Sequence, residues 1–181
     1  RNACKPGDII LTTGIHGLSK LGFLIQNKIN FDNEFSLNER LIIKSIEHFC
    51  RPRVYPNFLN NLLKTRSNKN ITRIGCTDSS DGLFQALQDL AIASNCKAII
   101  NYEKIPKDKD WPKGDKWDEY YFFGGEDYEL VFSLPKKWAE NLSKLDKNIN
   151  KIGFFTDGEP SIEFKDYKKN KLFNNTPFKH F

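Results

Sequence analysis

A double glycine, two adjacent carboxylates and an alternating run stand together in Gly124-Gly125-Glu126-Asp127-Tyr128-Glu129-Leu130-Val131-Phe132, and this stretch restricts the fold more than any other. From Tyr128 onward Tyr128, Leu130, Phe132 and Leu134 fall on one face, while Glu129, Val131 and Ser133 fall on the other. That period of two predicts a strand. Glycine permits a sharp turn or a close backbone approach, so Glu126 and Asp127 are placed where a loop meets a rigid sheet. Taken alone, the same residues also describe an ordinary charged turn.

A second acidic cluster, Asp78-Ser79-Ser80-Asp81-Gly82-Leu83, follows an apolar run from Ile71 to Cys76 that reads as a strand. Leu83, Ala86, Leu87, Leu90 and Ala91 then recur at helical spacing and predict one apolar face. Ser79 or Ser80 is the expected N-cap, with acidic residues favoured in the first turn. Capping alone accounts for such a pattern. Two carboxylates three residues apart with a hydroxyl between them also suit a hard cation that holds phosphate oxygens, and a helix N-terminus adds N–H donors for those phosphates.

The remaining pattern mixes helices and strands. A strand is expected at Ile9-Ile10-Leu11-Thr12, followed by an amphipathic helix carrying Leu18, Leu21, Leu24, Ile25 and Ile29. Ser36-Leu37-Asn38-Glu39 reads as a capping box that opens a second helix reaching about Phe49. A third helix after Pro56 is expected to turn Leu59, Leu62 and Leu63 inward. Strands are predicted at Lys97–Tyr102 and Tyr128–Leu134, then a helix carrying Trp138, Leu142 and Leu145, a strand around Ile152–Phe155 and a hairpin-like tail after Asp157-Gly158. Lys107 to Asp118, charged and bearing tryptophan, is assigned to no element and reads as a mobile loop. This order lacks the regular alternation of a doubly wound sheet and predicts an α+β fold, a mixed sheet with flanking helices.

The 181 residues suit one domain with one buried core. No apolar run approaches the ~20 residues of a membrane span, and no signal-peptide pattern opens the chain. The four cysteines are scattered without a C-x-x-C pair, which argues against a zinc site or a disulfide framework and makes a cytoplasmic setting the expectation. The net charge of +5 suits anionic ligands. The lysine- and asparagine-rich runs at Lys64–Asn70 and Lys168–Lys171 read as solvated loops, and no nucleic-acid-binding signature accompanies them.

The two acidic motifs, in this order and spacing, resemble those of the thiamine-monophosphate kinase family, in the superfamily that includes aminoimidazole-ribonucleotide synthase. The resemblance runs the length of the chain. It includes Lys5-Pro6-Gly7-Asp8 leading into the first strand, Gly17-Leu18-Ser19 before the first helix, His48 with Arg51-Pro52, and the closing Phe178-Lys179-His180-Phe181. It implies the fold of that superfamily's carboxy-terminal domain and transfer of the ATP γ-phosphoryl group to thiamine monophosphate, giving thiamine diphosphate. By the same resemblance Asp78 and Asp81 hold magnesium, while Ser80 and Arg1 contact ATP. Glu126 and Phe178 contact thiamine monophosphate, an aromatic face beside a thiazolium cation contributing ~1–2 kcal/mol if desolvated. Asp127 has no assigned role and is read as orienting the loop. No residue is assigned as a catalytic base: the acceptor is a phosphate monoester with a second pKa of about 6, already ionised at neutral pH. The three histidines, His16, His48 and His180, are read as structural.

The chain has no methionine and begins at Arg1, and the family carries an amino-terminal half ahead of the Lys-Pro-Gly-Asp turn. Residues 1–181 are therefore expected to be a single domain, the carboxy-terminal half of a two-domain enzyme. The amino-terminal metal-binding and dimerisation domain, through which the family forms homodimers, is expected to be absent and the fragment inactive by itself. One departure is visible: where the family has a second proline and an arginine after Arg51-Pro52, this chain has Arg53-Val54-Tyr55-Pro56. The alternatives are a related phosphoryl-transfer enzyme with another substrate, such as a ribonucleotide or selenide, and a non-catalytic ligand-binding domain.

Overall fold

Alternation along the strands sorts the apolar residues into two cores, one on each face of a six-stranded sheet. The computed structural model describes residues 1–28, 37–53, 55–67 and 73–165. In chain order these form β1 (Ile9–Thr13), α1 (Leu18–Gln26), α2 (Glu39–Cys50), α3 (Phe58–Lys64), β2 (Gly75–Asp78), α4 (Leu83–Ser94) and β3 (Lys97–Ile100). After a 3-10 turn at Tyr102–Lys104 come α5 (Asp115–Phe123), β4 (Leu130–Leu134), α6 (Lys136–Leu145), β5 (Ile149–Thr156) and β6 (Ser161–Phe164). The strand order is β2-β4-β1-β5-β3-β6, antiparallel except for the β3–β6 pair. The expected α+β architecture is what forms.

Adjacent strand residues point to opposite faces, so Ile10 and Val131 enter one core while Leu11 and Phe132 enter the other. The larger core is closed by Leu18 and Leu21 of α1, Leu41 of α2, Leu83 and Leu87 of α4, and Tyr121 and Phe122 of α5. The smaller is closed by Leu62 of α3 and by Trp138, Ala139 and Leu142 of α6. Trp138 also donates its indole N–H to the Leu62 carbonyl at 2.9 Å, which satisfies the ring's polar edge inside that core.

Several local expectations are corrected. On α3 only Leu62 of the three leucines turns inward; Leu59 and Leu63 are 60% and 54% exposed, because seven residues supply two turns and the inward positions go to Leu62 and Phe58. Leu145, at the end of α6, is likewise exposed. Through Lys165 the segment after Asp157-Gly158 forms no hairpin with β5: β6 pairs in parallel with β3. The Lys107–Asp118 stretch is packed, with Trp111 and Trp117 buried edge-to-face against each other and α5 starting at Asp115. Buried Asp108 fixes it to α2 through Lys44 and Arg40.

At the start of α2 the cap is Asn38, whose side chain accepts from the Arg40 N–H at 2.8 Å. Ser36 of the expected capping box, with Ile29, Ile71, Phe178 and His180, lies outside the described residues. Among the described residues no helix is long and apolar enough to cross a membrane. All four cysteines are free thiols.

Candidate functional site

The two acidic motifs meet at one end of the sheet. β2 and β4 are neighbours in register, Asp78 opposite Leu130, so the loop leaving β2 and the loop entering β4 lie side by side. Three hydrogen bonds lace them. The Glu126 N–H donates to the Ser80 carbonyl at 2.9 Å, the Ser79 N–H to the Glu129 carbonyl at 2.9 Å, and the Glu129 N–H to Ser79 Oγ at 3.1 Å. Gly125 makes the contact possible: a Cβ there would stand 2.3 Å from the Ser80 carbonyl oxygen.

Within the first loop Asp78 is exposed, Ser80 and Asp81 are half-buried, and Ser80 Oγ donates to Asp78 Oδ1 at 3.2 Å. Neither serine caps α4. Gly82 holds the N-cap position with φ +94°, and the buried Ser79 hydroxyl is spent on the neighbouring loop. The hydroxyl thus ties two loops together rather than ending a helix. Arg1 pairs with Asp89 on α4, the helix that springs from this loop.

In the second loop the strand starts later than alternation suggests. Glu126 and Tyr128 both have left-handed backbones, φ +67° and +53°, and β4 begins only at Leu130. Tyr128 is 42% exposed and donates its hydroxyl to Glu126 Oε2 at 2.7 Å. Non-glycine residues in this region carry strain and concentrate at binding sites.

Asp127 has a definite role: it is the cap of α1. Its carboxylate accepts from the Gly17 N–H at 2.6 Å and the Ser19 N–H at 2.9 Å, across 110 and 108 residues of sequence. Gly17, at φ +85°, turns the chain so that both N–H groups face the carboxylate. Beside it sits His48, joined to Ser19 Oγ at 3.0 Å and flanked by Asp127 Oδ1 at 3.8 Å and Glu129 Oε1 at 3.7 Å. Buried Glu129 accepts from the Thr13 hydroxyl at 2.5 Å and the Tyr55 hydroxyl at 3.0 Å. His16 is fully buried, bonded through Nε2 to Thr12 Oγ1 at 2.7 Å; burial lowers its pKa to about 4, so it is neutral. His16 and His48 are thus parts of the scaffold beneath the loop. The sequence signal for Asp127 is its position after Glu126; the distant partners at Gly17 and Ser19 leave no local trace.

Burial raises the Asp127 pKa to about 6 from its ordinary 3.8, with the Ser19 and Gly17 N–H bonds and His48 pulling it back. A carboxyl whose pKa is raised by folding stabilises the protein fully below the unfolded pKa and loses that contribution as pH rises through the folded one. Wild type is therefore expected to lose about 2 kcal/mol relative to Asp127→Asn between pH ~4.5 and pH ~7.5. Denaturant melts of the two proteins at both pH values check this; parallel pH dependence would show that Asp127 is ionised throughout.

Could this edge hold a cation? Asp78 and Asp81 carry hard carboxylate oxygens, and among the described residues no group of three or more His, Cys, Asp or Glu gathers into an all-protein cage. A sparse pair of carboxylates fits magnesium, which keeps waters and binds through one or two carboxylates plus substrate phosphates.

Residues 5–165 match the family model of the AIR synthase related protein, C-terminal domain, and the chain belongs to that family. Within it, curated relatives are thiamine-monophosphate kinases. The protein of that name from Prochlorococcus marinus is 33% identical over all of this chain and 54% of its own length. That from Buchnera aphidicola subsp. Schizaphis graminum is 32% identical over all of this chain and 55% of its length. The chain thus spans about half the length of the curated relatives it matches. The fold is shared with AaThiL complexed with AMPPCP and TMP (TM-score 0.71, 24% identity, 99% of this chain and 53% of that one). It is shared also with the E. coli hydrogenase maturation protein HypE (TM-score 0.63, 16% identity, 92% and 48%).

Proposed function

We propose that this chain is the carboxy-terminal part of an ATP-dependent thiamine-monophosphate kinase, acting in the cytoplasm to form thiamine diphosphate. The observation that carries the reading is the lacing of the Asp78–Asp81 loop to the Glu126 loop through Ser80, which sets a phosphate-suited acidic edge beside a second, substrate-suited carboxylate. Asp78 and Asp81 would hold magnesium, with Ser80 and Arg1 directed to the ATP phosphates, and Glu126 and Phe178 to thiamine monophosphate. Bound magnesium supplies charge neutralisation between two polyanions.

The chain's own residues position the reactants. The lacing fixes the two loops relative to each other, Tyr128 aims Glu126, and Asp127 anchors α1 beneath it. No side chain is needed to remove a proton, because the acceptor phosphate is already ionised near neutral pH. The scaffold roles of His16 and His48 agree with that chemistry. The other half of the relatives' length is assigned the remaining metal ligands and the homodimer contact, so residues 1–181 alone are expected to turn over nothing measurable.

Thiamine diphosphate formation from thiamine monophosphate and magnesium-ATP tests the reading. Turnover is expected from these residues joined to the native counterpart of the relatives' other half, and none from residues 1–181. If the joined protein converts no thiamine monophosphate, the substrate assignment is lost to a superfamily relative or a binding-only domain.

A further inference from the structure

At the other end of β4 from the acidic edge, a slot of about 230 Å³ lies beside the start of α6. Its floor is sheet, with Ile9 of β1 and Gly153 and Phe154 of β5. Four lysines line it, each from a different element: Lys104 of the 3-10 turn, Lys136 of α6, Lys151 of β5 and Lys165 just past β6. The carboxylate among them is Glu140. Lys44, Lys97 and Lys107 pair with Asp108, Glu163 and Asp118, whereas none of these four makes an ion pair among the described residues. Lys165 is fixed through its main chain, whose N–H donates to the Ile100 carbonyl at 3.0 Å, and its ammonium stands 5.4 Å from the Phe154 ring centre. Like charges gathered in one concavity repel, and its walls focus their field. The helix beside them sharpens the conflict. α6 opens on Lys136-Lys137 with no acidic residue in its first turn and no side-chain cap, so two ammonium groups occupy the end where the helix dipole favours an anion.

We propose that this slot is an anion site for a diphosphate group, separate from the edge that carries Asp78, Asp81 and Glu126. Four ammonium groups against one carboxylate leave three positive charges. A single phosphate group carries about −1.5 to −2 near neutral pH, and a second phosphoryl group brings the ligand close to that excess. Lysine meets phosphate oxygens as a point charge on a flexible stem, which suits walls built from four separate elements. The volume takes a diphosphate rather than a whole nucleotide. Such a group occurs free and at the end of an ester, as in the product proposed above, and both present the same chemistry to the slot. The site goes beyond that function and does not depend on it: the acidic loop adjoins β4 at Leu130, whereas the slot lies past Leu134 at Lys136.

The experiment titrates inorganic diphosphate into the full native polypeptide by calorimetry, in magnesium-free buffer where Asp78 and Asp81 repel an anion from their own edge. Inorganic phosphate and thiamine diphosphate form separate arms. Saturable binding of diphosphate is expected, weakened about tenfold by Lys136→Gln with Lys151→Gln. The pair Lys109→Gln with Lys113→Gln removes the same charge from exposed positions outside the slot and should keep the affinity within about twofold. Inorganic phosphate should bind about tenfold less tightly, since it meets fewer of the lysines. Thiamine diphosphate that binds more tightly than inorganic diphosphate, and is weakened by the same slot pair, assigns the ester as ligand; otherwise the free diphosphate group is the ligand. No saturable binding of diphosphate, or equal weakening by both lysine pairs, overturns the site. Thiamine diphosphate formation by the slot pair should match wild type. A wild type that binds diphosphate in the slot but converts no thiamine monophosphate keeps the site and removes the kinase reading.

Discussion

Asp81→Asn is expected to lower thiamine diphosphate formation by roughly a hundred- to a thousandfold, the loss that follows removal of one preorganised charge partner at a phosphoryl-transfer site. The substitution keeps the shape of the side chain and deletes only its charge. The loop around it is held by main-chain bonds that asparagine does not disturb: the Gly82 N–H donates to the Ser79 carbonyl at 3.0 Å, and the Ser79 N–H to the Glu129 carbonyl. Thermal melts run alongside show whether the fold is kept, so that a rate loss at an unchanged midpoint belongs to the missing charge. Kinetics at increasing magnesium separate the two roles a carboxylate can have here. If Asp81 holds the cation, high magnesium restores part of the rate. A rate unchanged from wild type at low magnesium would remove Asp81 from the site and return the acidic loop to a structural role.

What is legible in the sequence follows from how local each cause is. Leu130–Leu134 forms β4, with Val131 entering one core and Phe132 and Leu134 the other; Leu83, Ala86, Leu87, Leu90 and Ala91 bury on α4. Those patterns are set by which side chains each element turns toward a core, and they need only neighbours in sequence. The backbone of Glu126 and Tyr128 escapes the same logic, because a left-handed non-glycine residue is imposed by tertiary contacts and not by its own preference. The expected Ser79 cap fails for a related reason. A hydroxyl before a helix caps it unless a distant donor competes, and the Glu129 N–H arrives from 50 residues away. α3 departs on arithmetic: three leucines at helical spacing fit one face, but a two-turn helix that buries Leu62 and packs Phe58 on Phe132 leaves the other two exposed. The Asp127 cap is assembled from separate elements, and periodicity within one segment carries no information about it.

Gly125→Ala should do more damage than any change of charge in the same loop, because it attacks the seam on which both loops depend. The backbone at Gly125 does not lie in the left-handed region, so alanine is conformationally acceptable there. The obstacle is contact: the new methyl carbon would stand 2.3 Å from the Ser80 carbonyl oxygen and 3.3 Å from its carbon. Both are main-chain atoms, and no flexible side chain can yield. Relief requires the loops to separate, which breaks the Glu126 N–H bond to Ser80 and displaces Glu126 from the Asp78–Asp81 edge. Overpacking of this kind costs about 1–3 kcal/mol, and displacing a substrate by about 1 Å costs about a hundredfold in rate. The expected result is a lower denaturation midpoint together with roughly a hundredfold lower kcat/KM, the loss falling on kcat as well as KM. Glu126→Gln provides the contrast, since it leaves the seam closed: stability should be unchanged and the loss should fall mainly on KM for thiamine monophosphate. Equal stability and equal kinetics for Gly125→Ala and wild type would mean that the loops do not meet through this glycine, and the spatial basis for joining phosphate and substrate functions at one edge would be gone.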